Sequence, residues 1–179
     1  MNLPERTGDQ VRFGIALAVP APHADVLQGA RADFGDPLAH AIPPHVTLVG
    51  PTVAEPADLP ALHEHVTEVA RRHRAFEVHL RGTGTFRPVS DVVFVQVVRG
   101  ISECEQLERE LRTGPLDQGL RFHYHPHVTV AHDVPEPALD RAFDELADFE
   151  ARYLASGFEI FEHGDDGIWR VERHVPFGG

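Results

Sequence analysis

The tetrapeptide Pro-His-Val-Thr occurs at positions 44–47 and again at 126–129, so that His127 follows His45 by 82 residues. Ala75-Phe76-Glu77-Val78 is matched by Gly157-Phe158-Glu159-Ile160 at the same separation of 82. Glu55-Pro56 and Glu136-Pro137 lie 81 apart, one small gap from that register. One short motif recurs by chance, but three in a common register mark an internal duplication. A duplicated chain folds into two like units, and this restricts its topology more than any composition does.

The segments between these anchors repeat as well. VRFGIALAV (11–19) and VVFVQVV (92–98) are rich in β-branched residues and bounded by turn formers, the pattern of buried strands. Each is followed by a helical spacing of apolar residues: Val26, Leu27, Ala30 and Phe34 in the first copy, Ile101, Cys104, Leu107 and Leu111 in the second. The PHVT strand comes next, then a second helix lined by Leu59, Leu62, Val66 and Val69, or by Leu139, Phe143 and Leu146. The Glu-Pro pairs fall where these second helices start, and proline is tolerated in a first turn. Strands over 75–81 and 157–163 close the two units.

The expected fold is therefore α+β, with duplicated β-α-β-α-β units forming two lobes around a central cleft, antiparallel sheets and helices on the outside. Repeat 1 spans about 11–86 and repeat 2 about 92–163. IWRVERHV adds a final strand at about 168–175, and 1–179 form a single bilobal domain. The stretches 83–91 and 112–119 are the irregular connections.

Composition removes several chemistries. All 16 basic residues are arginine and none is lysine, which excludes P-loop nucleotide hydrolysis, Schiff-base chemistry and ligation through a lysyl–nucleotide intermediate. The single cysteine, Cys104, excludes an internal disulfide and a four-cysteine zinc site. A formal net charge of −12, with no basic run beyond RRHR at 71–74, does not suit a long nucleic-acid track, whose binding depends on neutralising phosphates. A phosphate-bearing ligand is then small, or a chain end gripped locally. No apolar run approaches a membrane span, and MNLPERTGDQ has no basic segment leading into an apolar one. A cytoplasmic monomer is the expectation.

On a strand, residues i and i+2 share a face. His45 then projects beside Thr47, and His127 beside Thr129, while Val46 and Val128 turn to the core. A pseudo-twofold axis between duplicated units brings the two pairs to opposite sides of one cleft. Two imidazoles flanking a phosphate can divide acid and base work, because histidine titrates near neutrality. The threonine hydroxyls can donate hydrogen bonds to non-bridging phosphate oxygens. A third His-Val-Thr, at 65–67, lies in a helical pattern without a preceding proline, and it is not expected to take part.

Two His-x-Thr motifs about eighty residues apart in a duplicated α+β chain resemble the two-histidine (2H) phosphoesterase superfamily, in its bacterial branch of 2′-5′ RNA ligases and RNA 2′,3′-cyclic phosphodiesterases. The resemblance covers about 11 to 175. It implies that His45 and His127 are the catalytic pair and that Thr47 and Thr129 hold the phosphate. It also implies a reaction without cofactor or metal on a 2′,3′-cyclic phosphate RNA end or a small cyclic phosphodiester, with reversible 2′-5′ ligation as the companion reaction. Many relatives carry arginine shortly after the second motif, whereas HVTVAH ends here in His132. Arg87 or Arg12 is a candidate to compensate, and Phe86 a candidate to stack on a base.

Phe122 to His132 also holds His123, His125, His127 and His132, which raises a metal-dependent hydrolase as the alternative. Against it, three consecutive same-face residues of a strand span about 13 Å, and no aspartate completes an H-x-H-x-D-H pattern. His123 and His125 are read as partly exposed residues near the cleft, with His125 a candidate substrate contact. A third reading is a non-catalytic module that binds nucleotide or RNA ends.

Overall fold

A computed structural model of the chain describes residues 3–117, 119 and 123–179. Repeat 1 supplies β1 (Val11–Ala18), α1 (His23–Asp33), β2 (His45–Ala54), α2 (Leu59–Arg72) and β3 (Phe76–Thr85). Repeat 2 supplies β4 (Val92–Arg99), α3 (Ile101–Leu111), β5 (His127–His132), α4 (Glu136–Glu145), β6 (Glu150–Ala155) and β7 (Gly157–His163), and β8 (Trp169–Pro176) follows. The order matches the sequence pattern with one addition. β6 was not legible, because EARYLA is short and sits on a sheet edge with one partner. The strand β3 also runs on to Thr85, so the connection expected from 83 starts later. In the connection 112–119, Gly114–Leu116 form a 3-10 turn and Gln118 lies outside the described residues.

The strands form two four-stranded antiparallel sheets, ordered β2-β1-β7-β8 and β5-β4-β3-β6. Each sheet takes its third strand from the other repeat: β7 pairs with β1, and β3 with β4. The strand that closes a repeat in sequence therefore does not close its sheet in space. The packing of the repeats crosses over in the same way, with α1 against β5 and α3 against β2.

One apolar core runs through both sheets. Val46, Leu48 and Phe158 from the first sheet meet Val78, Val95 and Val128 from the second, with Leu27, Leu62, Leu107 and Leu139 from the four helices. A separate small cluster, Ala16, Ile42, Phe161 and Trp169, lies on the opposite face of the first sheet, where His45 and Thr47 also project. Two expected core positions are exposed instead: Val26 at the start of α1 and Ile101 at the start of α3. A first-turn residue lies at the helix end, beyond the reach of the sheet it packs on. Among the described residues, no helix is long and apolar enough to cross a membrane.

Because β3 and β7 are exchanged, neither sheet can unfold while the other stays intact. Thermal melts followed by far-ultraviolet circular dichroism and by Trp169 fluorescence are expected to coincide. Phe158→Ala, at a fully buried position on β7, should lower both together, by about 3–5 kcal/mol. Two separated transitions would refute the coupling.

Candidate active site

His45 and His127 open the edge strands β2 and β5, which lie against one another where the sheets meet. Alternation holds on both strands: Val46, Leu48, Val128 and Val130 are buried in the core, while His45, Thr47, His127 and Thr129 stay half-buried on the other face. In the register, Thr47 pairs with Ala16 and Thr129 with Phe94.

The two rings are held alike. The Nδ1 of His45 lies 2.8 Å from the carbonyl of Pro43, and that of His127 lies 2.7 Å from the carbonyl of His125. A carbonyl only accepts, so Nδ1 carries the proton in both rings and the neutral tautomer leaves its lone pair on Nε2. Each accepting carbonyl lies two residues upstream across a buried proline, Pro44 or Pro126, whose fixed φ stiffens the approach to the strand. The proline of PHVT thus serves the orientation of the ring beside it.

Burial is the main force on their charge states. It pushes the pKa of His45 down to about 4, against the opposing hydrogen bond that its ring donates to the Pro43 carbonyl and with help from the charges of Arg31 and His127. Burial also lowers His127, opposed by its bond to His125 and aided by the charge of that residue. Both rings are neutral at pH 7 in the free protein.

Aromatic side chains wall each ring. Phe86 and Phe94 both lie 5.0 Å from the His127 ring, centroid to centroid, and 4.5 Å from one another. Phe94 rests flat against β3 because position 84 is glycine, where a Cβ would come within 2.6 Å of the ring. Phe161 lies 6.1 Å from His45. A small cavity of about 30 Å3 beside His45 is lined by Gly14, Thr47, Ile42, Phe161 and Trp169 among others. The loop carrying Ile42 is tied down by a hydrogen bond from the Trp169 amide to the Ala41 carbonyl, 2.7 Å long. Sequence reasoning missed Phe94, Phe161 and Trp169, since each sits in a strand pattern that reads equally well as core.

The remaining candidates divide. Phe86 does reach the site, but its ring packs on His127 and Phe94. His125 is exposed, with its ring stacked 6.2 Å from that of His127. The strand starts only at His127, yet the His125 ring meets Phe86 and Phe94 edge-on, as neighbours it shares with His127. Among the described residues, no three His, Cys, Asp or Glu side chains converge as metal ligands. His132 closes β5 beside Asp133, at 3.1 Å, and its pKa is lowered by burial against the pull of that carboxylate. Arg87 pairs with Asp140 at 2.7 Å, and Arg12 donates to the carbonyl of Pro4 and to Nδ1 of His163. Both arginines thus have partners outside the paired motifs. The third His-Val-Thr lies in α2, where Val66 is core, His65 donates to the Leu111 carbonyl and Thr67 to the His63 carbonyl.

Two half-sites on exchanged sheets, each a His-x-Thr strand with the same ring anchor, define the architecture of a two-histidine phosphoesterase. The sequence profile described as the 2′-5′ RNA ligase superfamily matches residues 19–167, and the chain belongs to that family. A relative from Halalkalibacterium halodurans with a provisional phosphoesterase name is 28% identical, over 94% of this chain and 98% of its own. One from Oceanobacillus iheyensis with a similar name is 26% identical, over 87% of this chain and 86% of its own. Among solved structures, Escherichia coli LigT complexed with 3′-AMP superposes with a TM-score of 0.69 at 18% identity, covering 96% of this chain and all of LigT. LigT complexed with phosphate gives 0.65 at 20% identity and the same coverage.

The depressed histidine pKa values set the response of the fold to acid. Between pH 6.5 and about 4 the unfolded chain protonates at His45 while the folded chain does not, so stability is full above 6.5 and falls as the pH drops through this window. Denaturant midpoints measured at pH 7 and pH 5 are expected to show a smaller acid loss for His45→Gln than for the wild type. The difference approaches about 1.4 kcal/mol per pH unit within the window. An equal loss in both proteins would refute the burial effect.

Proposed function

We propose that the chain is a metal-independent phosphoesterase that opens 2′,3′-cyclic phosphates at RNA ends or on small cyclic nucleotides, by acid–base catalysis between His45 and His127. The observation that carries this reading is the matched anchoring of the two rings, each presenting Nε2 from a strand edge beside a threonine. The cyclic diester lies between the motifs, with the hydroxyls of Thr47 and Thr129 donating to its non-bridging oxygens. A water molecule attacks phosphorus as one neutral imidazole takes its proton at Nε2. The P–O bond to one ribose oxygen breaks, and the other imidazole, protonated, supplies the proton that this oxygen needs. The product is a ribose phosphomonoester, and the two rings have exchanged protonation states. A ribose 5′-hydroxyl in place of water gives 2′-5′ ligation by the same displacement: its oxygen bonds to phosphorus, the bond to the ribose 3′-oxygen breaks, and that oxygen takes the proton.

Among the described residues, the candidate arginines Arg87 and Arg12 are engaged by Asp140 and by Pro4 with His163, so in this reading the imidazolium and the threonines hold the phosphate charge. That favours small substrates or chain ends over long strands, in keeping with the net charge of −12. The small ligands named for the LigT structures, 3′-AMP and phosphate, are of the class proposed here.

The reaction needs one ring neutral and one protonated, and both free-protein pKa values lie below the usual 6.5. The profile of kcat/KM, which reports the free protein, is expected to be a bell centred below pH 6.5. The kcat profile should lie higher, because a bound phosphate anion favours imidazolium. With 2′,3′-cyclic nucleotides as substrates, EDTA should leave the rate unchanged, and His45→Ala or His127→Ala should lower it by at least about 10²-fold. A rate abolished by EDTA, or one indifferent to His45→Ala, would falsify the reading.

A further inference from the structure

The two half-sites stand on different sheets, and apolar packing between sheets is non-directional. Acid–base catalysis by two rings needs their separation held to a fraction of an ångström. Some directional contact between the motifs is therefore required, and the structure contains one. The hydroxyl of Tyr124 donates to the backbone carbonyl of Thr47 at 2.9 Å, across 77 residues of sequence. Tyr124 precedes His127 by three residues, and Thr47 follows His45 by two. Among the described residues, no other side-chain hydrogen bond joins 123–132 to 43–50.

The bond follows from strand geometry. Successive residues on a strand turn their N–H and C=O groups to opposite sides. β2 is an edge strand with β1 on one side only, so half of its carbonyls lack a ladder partner. The Thr47 carbonyl receives the Tyr124 hydroxyl instead. The Tyr124 ring packs against the main core, and burial raises the phenol pKa, so the hydroxyl keeps its proton and remains a donor.

We propose that Tyr124 is a positioning residue that fixes the first His-x-Thr strand relative to the second, and so sets the spacing of His45 and His127. Its role depends on the two-histidine reading only for its kinetic consequence; the geometric consequence stands by itself. Tyr124→Phe removes the hydroxyl alone and keeps the packed ring. For 2′,3′-cyclic nucleotides, kcat is expected to fall about tenfold with KM within about twofold, since a misplacement below 1 Å costs less than the roughly 10²-fold of a full ångström.

Imidazole titrations by NMR supply a readout independent of turnover. Loosening β2 rehydrates His45 and separates it from His127, so the His45 pKa should rise toward 6.5, while that of His132, at the far end of β5, stays in place. A His45 titration unchanged in Tyr124→Phe overturns the proposal whether or not the wild type turns over cyclic phosphates. A parallel drop in kcat, KM and melting temperature, with His132 shifting too, also overturns it, because that pattern means general loosening. Failure of the wild type to hydrolyse cyclic phosphates, with the His45 shift observed, refutes the proposed reaction and leaves the brace standing.

Discussion

The exchange of β3 and β7 between the two sheets is the constraint on which the rest of the molecule depends. Without it, each repeat would close its own sheet, and the two His-x-Thr strands would sit on separable units. With it, β7 of the second repeat pairs with β1 and β3 of the first pairs with β4. The two sheets share one core, and β2 and β5 meet as adjoining edges. The proposed reaction, with its two imidazoles on two halves, needs this rigidity, since relative motion of the halves would alter the distance between the rings. The sheet order achieves it through backbone ladders, with no disulfide and no metal cluster among the described residues.

Within that frame, electrostatics are set by exclusion of water. Both imidazoles sit in apolar, aromatic surroundings, and burial outweighs the carbonyl bonds that would favour their charged forms. The resting site is consequently neutral, in a protein whose surface is strongly acidic. In the proposed reaction an anionic substrate supplies the charge that permits one ring to protonate, which links ligand binding to the charge state of the site. The nearest arginine by its effect on His45 is Arg31, but its Nε is bound to Asp36 in a buried pair at 2.7 Å.

Much of the fold and the two His-x-Thr strands of the candidate site could be read directly from the chain. Apolar spacing located β1, both PHVT strands and all four helices, because period 2 and period 3.6 reflect local geometry that needs no tertiary information. The same logic failed where a local pattern had two tertiary outcomes. Phe94 and Phe161 read as core yet wall the imidazoles, since both faces of these sheets are apolar. Arg87 and Arg12 were plausible phosphate ligands by position and proved to be engaged elsewhere, by Asp140 and by Pro4 with His163. His123 and His125 precede the strand, which starts only at His127, so strand alternation does not govern them.

By itself, the sequence determined the duplication, the strand and helix types, and the recurrence that matches His45 with His127, because each of these is written in spacing or in recurrence. Tertiary structure alone decided which sheet each closing strand joins, that each proline-led turn offers a carbonyl to the ring beside it, and that Tyr124 reaches Thr47. Strand partnership and hydrogen bonds between distant segments depend on which edges are left open after the core has formed. No local pattern in the chain records that outcome.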